Sequence, residues 1–157
     1  TALCKFIRAN LAHHTPKIHR ILSCDAESFV PASDALPVTQ LQEDDPHIEW
    51  FRMHFDGPIF AARDERGAIA SWAAIKCKSD DVWEMAVMTE PTYRNRGLAR
   101  SVTSHATQAA IASGKLALYL HEVSNHASAK VCHALGYTPY GYELTCETGR
   151  VSQRRRR

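Results

Sequence analysis

The chain has 157 residues, of which 45% are apolar and 23% charged, a composition typical of a folded globular protein. A chain of this length can bury roughly two thirds of the surface that its unfolded form exposes, so one domain core is expected. No window approaches the ~20 apolar residues of a membrane-spanning helix, and the N-terminal segment lacks the continuous apolar core of a signal peptide. We therefore predict a cytoplasmic protein without a membrane partner.

The net charge of +2 depends on the C-terminal run Arg154–Arg157. Without that run, 15 basic residues face 17 acidic ones, so the body of the chain is slightly acidic. An arginine run could attach to nucleic acid or to anionic lipid. The acidic body argues against a nucleic-acid partner, and we expect residues 148–157 to form a basic, disordered tail.

The cysteine and histidine residues do not indicate a disulfide framework or a metal site. Five cysteines are an odd number without compact spacing, which favours reduced thiols. The densest histidine cluster, which also includes one cysteine, has neither a recognised zinc spacing nor a close cysteine pair. The cluster comprises His13, His14, His19 and Cys24; we interpret its histidines as surface residues and predict no metal.

Residues 1–36 are predicted to be a helical N-terminal extension. Four apolar side chains fall on one face of a first helix: Leu3, Phe6, Ile7 and Leu11. Thr15-Pro16 is a typical helix start, because a capping residue precedes a proline in the first turn. The apolar side of this second helix would comprise Ile18, Ile21 and Leu22. Two prolines and two serines in residues 28–37 indicate a connector.

The next part of the chain changes from a helical to an extended pattern. A short strand is predicted over residues 38–41, and a helix from Asp45-Pro46 to about Gly57-Pro58. Three strand candidates follow, separated by tight turns: Ile59–Arg63, Ala68–Cys77 and Val82–Met88. Short turns between consecutive strands predict an antiparallel meander.

The last part of the chain alternates helices with strands. A helix is predicted from Arg96 to Ser113, a strand from Leu116 to Val123, and a second helix between the cap Ser124-Asn125 and Gly136. The final strand would run from Tyr137 to Cys146. Because the first of these helices is a crossover connection, residues 82–88 and 116–123 should be parallel neighbours. We predict a mixed α/β (α+β) fold in which helices cover a mixed sheet.

The turn between the strand ending near Val87 and the following helix carries the clearest chemical signal. The first turn of a helix has unpaired N–H groups and a positive dipole end, which suit a phosphate or pyrophosphate. Gly97 and Ala99 are small enough to let an anion approach the backbone. Neither the Gly-x-Gly-x-x-Gly spacing nor a P-loop is present. Taken alone, the turn could equally be a solvated, basic helix start.

Two motifs together extend this interpretation. The first is Arg94-x-x-Gly97-x-Ala99, and the second is Asn125-x-x-Ser128 followed by Leu-Gly-Tyr at 135–137. With both motifs, and with one helix and one strand between them, the chain resembles the GNAT superfamily of N-acetyltransferases over about residues 37–146. The resemblance implies a GNAT-like acyltransferase domain at 37–147. Such a domain has an antiparallel meander followed by a parallel β-α-β crossover with splayed strands, and helices on both faces.

The resemblance also implies a cofactor, acetyl-CoA, and the residues that bind it. The pyrophosphate would lie on the turn and first helical residues, Arg94, Asn95, Arg96, Gly97, Leu98, Ala99 and Arg100. The pantetheine arm would pair with the backbone of Ala86, Val87 and Met88. Asn125 would hydrogen-bond the arm, with Ser128 nearby, although a plain helix cap is the alternative role for Asn125.

The catalytic groups are less clearly indicated. Many relatives have a tyrosine at the position of Cys132, whose hydroxyl protonates the leaving thiolate, and a cysteine cannot be assumed to replace it. Glu84 is our candidate for the general base, three residues before Val87 on the same strand. Strand alternation places Glu84 and Ala86 on one face of the sheet. A carboxylate paired with a basic side chain is the alternative, and His121 and Tyr119 are reserve candidates.

The predicted function is therefore transfer of an acetyl group from acetyl-CoA to a primary amine of a small-molecule or peptide acceptor, by direct attack. A non-catalytic acyl-CoA-binding regulatory module is the alternative. The sequence specifies neither the acceptor nor the oligomeric state.

Overall fold

The computed structural model describes residues 16–145, together with the isolated residues 2 and 5. Between residues 16 and 145 the strands are β1 (Lys17–Cys24), β2 (Val38–Gln40), β3 (Ile59–Arg63), β4 (Ile69–Cys77), β5 (Val82–Thr89), β6 (Leu116–Glu122) and β7 (Thr138–Thr145). The helices in this stretch are α1 (Ile48–Arg52), α2 (Leu98–Ala112) and α3 (His126–Ala134), and a 3₁₀ turn covers Pro91–Tyr93.

The seven strands form one mixed sheet in the order β2-β3-β4-β5-β6-β1-β7. The predicted antiparallel meander is confirmed in β3, β4 and β5, and so is the parallel pairing of β5 with β6 across the α2 crossover. That parallel pairing runs only from Val82↔Leu116 to Met85↔Tyr119, although both strands continue further. The two strands therefore splay apart beyond Met85, as the predicted fold requires.

Helices cover both faces of the sheet, because alternate residues of β3 and β4 pack against different helices. On one face, Phe60 and Ile75 belong to a core cluster that includes Val102 and Ala106 of α2. On the other face, a second core cluster includes two residues of α1 and one tryptophan of β4. Its buried members are Leu41, Ile48, Phe51, Ile59, Ala61, Trp72 and Ala74. The mixed α/β fold class is confirmed.

The prediction of a helix that starts at Thr15-Pro16 is wrong. Residues 17–24 form strand β1, which lies between β6 and β7 and is antiparallel to both. Its buried residues, Leu22 and Cys24, alternate with more exposed ones, which is the strand period. The helical interpretation failed because a short apolar run fits either period, and pairing with two neighbours decides between them. The predicted helix through Leu3–Leu11 and the tail at 148–157 fall outside the described residues.

The connector after β1 is tied to the helices near the predicted site. The N–H groups of Ala32 and Ala35 donate to the hydroxyls of Ser104 and Ser101 on α2, each at 3.0 Å. The Val30 N–H donates to the Leu135 carbonyl at the end of α3. These contacts fix the N-terminal half of α2 against a segment that the sequence indicated only as a linker. No helix in the described part of the chain is long and apolar enough to cross a membrane.

Candidate active site

Two cavities meet where β5 and β6 splay apart. The first has a volume of about 640 Å³ and lies on the side of the sheet covered by α2 and α3. The second, of about 510 Å³, is lined by Glu84 and Ala86 of β5 and by residues of β1, β6 and β7. The residues common to both walls mark the opening between them: Val87, Tyr119, Asn125 and Ser128.

The turn that enters α2 forms one end of the first cavity. Asn95 and Gly97 both have left-handed backbone conformations, with φ of 62° and 82°. Gly97 is the N-cap of α2, so the capping position has no side-chain oxygen to accept hydrogen bonds from the first-turn amides. Those amides are therefore free to bind an anion, and the helix dipole favours negative charge there.

Ten of the twelve predicted cofactor-binding residues line this first cavity: Val87, Met88, Arg94, Asn95, Gly97, Leu98, Ala99, Arg100, Asn125 and Ser128. Ala86 lines the second cavity instead. Arg96 is absent from both walls, and its guanidinium lies 5.3 Å from the centre of the Tyr93 ring. The Arg96 side chain thus stacks on a ring of the first cavity wall without lining either cavity itself.

Tyr93 is a site residue that the sequence did not indicate. It lines the first cavity, and its hydroxyl donates a 2.5 Å hydrogen bond to the carboxylate of Asp64. Asp64 also accepts hydrogen bonds from the N–H groups of Arg66 and Ala68 in the turn between β3 and β4. The Tyr93 hydrogen bond is the largest cause that lowers the pKa of Asp64. The contact joins the predicted pyrophosphate turn to a turn 29 residues earlier.

Asn125 lies at the opening between the cavities and caps α3. Its side-chain oxygen accepts a 3.1 Å hydrogen bond from the Ser128 N–H. Since the oxygen is used in the cap, the amide NH₂ group of Asn125 is the part able to donate to a ligand. The cap and a ligand-binding role are therefore compatible.

Glu84 lies in the wall of the second cavity and is only 9% exposed. Its carboxylate is 3.1 Å from the Lys78 ammonium and 3.8 Å from that of Lys76. The predicted alternation holds, because Met85 belongs to the core cluster on the α2 side and Ala86 packs on the α1 side. The structure thus places Glu84 both in the cavity wall and in an ion pair, and the two roles are not exclusive.

His121 is a second ionisable group in the wall of this cavity, and it is 6% exposed. Its Nδ1 lies 2.8 Å from the Glu122 carbonyl oxygen. A carbonyl only accepts, so Nδ1 is the donor in this contact. Among the described residues Nε2 has no hydrogen-bond partner.

Cys132 and Tyr119 are both buried, but only Tyr119 lines the cavities. Cys132 is 0% exposed and lines neither cavity, and burial raises the pKa of its thiol to about 12. Tyr119 is 4% exposed and lines both cavities. Burial raises the pKa of Tyr119 to about 12; the Cys132 thiol adds to the rise and the Ser128 side chain opposes it.

Comparison with known proteins places this fold and site in one family. The sequence profile of the acetyltransferase (GNAT) family matches residues 17–137, and the chain belongs to that family. The match includes β1, which was predicted to lie in a separate extension. The family is named for acetyltransferase activity. No curated protein matches the chain significantly.

Solved structures of the family show the same fold. A putative GNAT acetyltransferase from Novosphingobium aromaticivorans has a TM-score of 0.68 at 19% identity, over 83% of this chain and 63% of that one. A GCN5-related N-acetyltransferase from Kribbella flavida has a TM-score of 0.68 at 19% identity, over 87% and 60%. For a GCN5-related N-acetyltransferase-like protein from Streptococcus suis, the TM-score is 0.66 at 16% identity, over 94% and 68%.

At these identities the likeness shows the fold alone. The present chain spans 60–63% of the length of the first two neighbours.

Among the described residues, no group of three or more histidine, cysteine, aspartate or glutamate side chains is arranged to hold a metal ion.

Proposed function

We propose that the protein transfers an acetyl group from acetyl-CoA to a primary amine of a small-molecule or peptide acceptor. The observation that carries this proposal is the pair of cavities that meet at the split between β5 and β6. One cavity has the features of an anion-binding helix start, and the other has ionisable side chains. A donor and an acceptor that enter from these two sides would meet at the opening.

On the donor side, the coenzyme A pyrophosphate binds the amides of residues 94–100. The pantetheine arm lies between β5 and β6 beyond the pair Met85↔Tyr119, the last parallel pair. From Ala86 onward β5 pairs with β4 on one side only, so its other edge offers backbone groups to the arm. Asn125 donates from its amide NH₂ group.

On the acceptor side, the amine enters the second cavity and must lose a proton before it attacks. Glu84 is the proposed base, because its carboxylate lies in the cavity wall. When the acceptor ammonium enters, the carboxylate gives up part of its contact with Lys78 and contacts the ammonium instead. The amine nitrogen then forms a C–N bond with the acetyl carbon, the C–S bond breaks, and the sulfur keeps the electron pair. No enzyme-bound intermediate is needed, and the buried Cys132 takes no part.

A non-catalytic acyl-CoA-binding module is the second candidate. The observation that favours it is the buried Cys132, which leaves α3 without the hydroxyl that relatives use on the leaving thiolate. In this case acetyl-CoA would bind but no amine would be acetylated.

The cytoplasmic location stays a prediction.

Two measurements on the full chain test both candidates. Calorimetric titration with acetyl-CoA should give saturable binding, and the ligand should raise the melting temperature because it binds only the native state. Release of coenzyme A should then depend on the amine in a panel of small amines and lysine-containing peptides. Binding without turnover of any amine would favour the regulatory module. No heat and no thermal shift at millimolar acetyl-CoA would overturn both.

A further inference from the structure

The site lacks a hydroxyl where the family resemblance leads one to look for it. Residue 132 is a cysteine with no exposed surface, it lines neither cavity, and it cannot contact a sulfur that lies in the opening. A thiolate that leaves an acyl group is stabilised by a donor placed where its charge develops. Another group in the wall of the opening must therefore supply the donor, or none does.

Tyr119 lies at the point where the opening begins. It is the β6 member of the last parallel pair, Met85↔Tyr119, and the two strands diverge immediately after it. It is also one of four residues that line both cavities. An acyl-CoA whose arm lies between the strands and whose acetyl group faces the acceptor has its sulfur near this apex.

The other three residues of the shared wall are less suited to the role. Val87 has no polar side-chain atom. The Asn125 oxygen caps α3, and its NH₂ group is assigned to the pantetheine arm. Ser128 lies on the first turn of α3, next to that cap. Ser128 and Tyr119 are then the two hydroxyl donors of the shared wall, and Tyr119 is the one that comes from the strand bordering the opening.

The ring of Tyr119 is held in the core, so its hydroxyl does not need to be ordered when the ligand binds. Tyr137 packs edge-to-face against it with ring centres 5.8 Å apart. The Tyr137 hydroxyl is in turn hydrogen-bonded to Thr107 of α2 at 2.7 Å. The pKa of Tyr119, raised to about 12, leaves its hydroxyl protonated at neutral pH and therefore able to donate.

We propose that Tyr119 donates a hydrogen bond to the coenzyme A sulfur as the C–S bond breaks, in place of a tyrosine on α3. This inference rests on the proposed function, since it needs acyl-CoA in the first cavity. The acetyl carbon exchanges its bond to sulfur for a bond to the amine nitrogen, and the sulfur leaves with the electron pair. Tyr119 keeps its proton, and the thiolate takes a proton from water to give free coenzyme A.

The test uses Tyr119→Phe and two readouts. The acetyl-transfer kcat should fall about 10- to 100-fold, the scale of one lost hydrogen bond to a charged group, while the Kd of acetyl-CoA stays within about threefold. The second readout is the thiolate absorption of bound coenzyme A, followed against pH. The thiol should ionise at a lower pH in the parent protein than in the variant, because only the parent has the hydroxyl that stabilises the thiolate.

Controls separate this inference from the proposed function. Tyr140→Phe makes the same chemical change at a residue of β7 that is 73% exposed, and it should leave both readouts unchanged. If the parent does not bind coenzyme A, the proposed function fails. If coenzyme A binds and its thiol titrates identically in the parent and Tyr119→Phe, only the role of Tyr119 is overturned. If the variant fails to fold, the parent protein alone still tests the role. If the thiol of coenzyme A bound to the parent ionises at the same pH as free coenzyme A or at a higher pH, the role of Tyr119 is overturned.

Discussion

The two cavities have different kinds of wall. The first is built around a turn and a helix start, with left-handed backbone at Asn95 and Gly97 and a small residue at Ala99. The second is lined by ionisable side chains from five strands, β1, β4, β5, β6 and β7: His19, Lys76, Glu84, His121, Glu122 and Glu143.

This difference indicates how each cavity recognises its ligand. Main-chain amides at a helix start bind a pyrophosphate through geometry, and the side chains need only be small enough to allow contact. Side chains that converge from separate strands recognise an acceptor by its charge and hydrogen-bonding groups, so they can change without altering the fold. Substitutions in the first cavity should therefore act on acyl-CoA affinity, and those in the second on turnover.

The largest effect is expected from Ala99→Glu. Ala99 lines the first cavity in the first turn of α2, so a glutamate there brings a negative charge and a longer side chain to the pyrophosphate position. The same charge is favourable to the helix dipole, and the fold should be retained. Acetyl-CoA affinity, measured by calorimetry, should fall at least about 100-fold, which corresponds to about 2.7 kcal/mol.

The matched control for this substitution is Gln108→Glu, which adds the same charge to an exposed position of the same helix. It should leave the Kd of acetyl-CoA within about twofold, because exposed charges beyond the Debye length of ~8 Å are screened. Ala99 is preferable to Gly97 for this experiment, since Gly97 has a φ of 82° and any side chain there strains the backbone. Unchanged affinity in Ala99→Glu would remove the pyrophosphate from this turn.

The next effect concerns the second cavity. Glu84→Gln should lower kcat about 100-fold, the usual scale for losing a general base, and leave the Kd of acetyl-CoA unchanged. The matched control is Glu49→Gln, which makes the same chemical change at an exposed carboxylate on α1. It should alter neither quantity. If kcat of Glu84→Gln stays within a few-fold across the pH range, Glu84 serves only its ion pairs with Lys76 and Lys78. His121→Gln would then be the variant to measure, since His121 lines the same wall and its Nε2 has no hydrogen-bond partner among residues 16–145.

The contrast between the cavities also explains what the sequence could predict. The first cavity is local in the chain: its ten predicted residues lie in two short segments, 87–100 and 125–128, which contain the two motifs visible without a structure. The meander and the crossover follow from period and turn chemistry in the same way, whereas the splayed strands were implied by the family resemblance. Ala86 lines the second cavity and the Arg96 side chain stacks on Tyr93, and such side-chain positions depend on neighbours from other elements.

The second cavity could not be assembled from the sequence, because its wall includes β1. The run Lys17–Cys24 was predicted as a helix, and only its pairing with β6 and β7 brings His19 into the wall. The hydrogen bond between Tyr93 and Asp64 has the same origin, as it joins two turns that are distant in the chain. Local motifs therefore specified the first cavity, whereas long-range strand pairing specified the second.

A smaller effect should follow from Tyr93→Phe. The substitution removes the hydroxyl that joins the pyrophosphate turn to Asp64, and it retains the ring under Arg96. The turn keeps its sequence but loses one fixed contact, so the Kd of acetyl-CoA should rise about three- to tenfold, in keeping with about 1 kcal/mol for one hydrogen bond. The kcat at saturating acetyl-CoA should be unchanged. A changed kcat with unchanged Kd would mean that Tyr93 acts beyond the first cavity, and Tyr140→Phe again controls for loss of an exposed hydroxyl.

The smallest effect is expected from removing Arg154–Arg157. Thr145, at the end of β7, lines the second cavity, and the arginine run begins nine residues later in the sequence. Positive charge within ~8 Å of this cavity would repel a cationic amine. Charges separated by more than ~8 Å are screened at physiological ionic strength, so we expect the KM for a small amine to stay within about twofold after truncation. The measurement should be repeated at low and high salt. A KM that falls on truncation at low salt and converges with that of the full chain at high salt would show that the run acts on the second cavity, and acceptor recognition would then extend beyond the side chains in its wall.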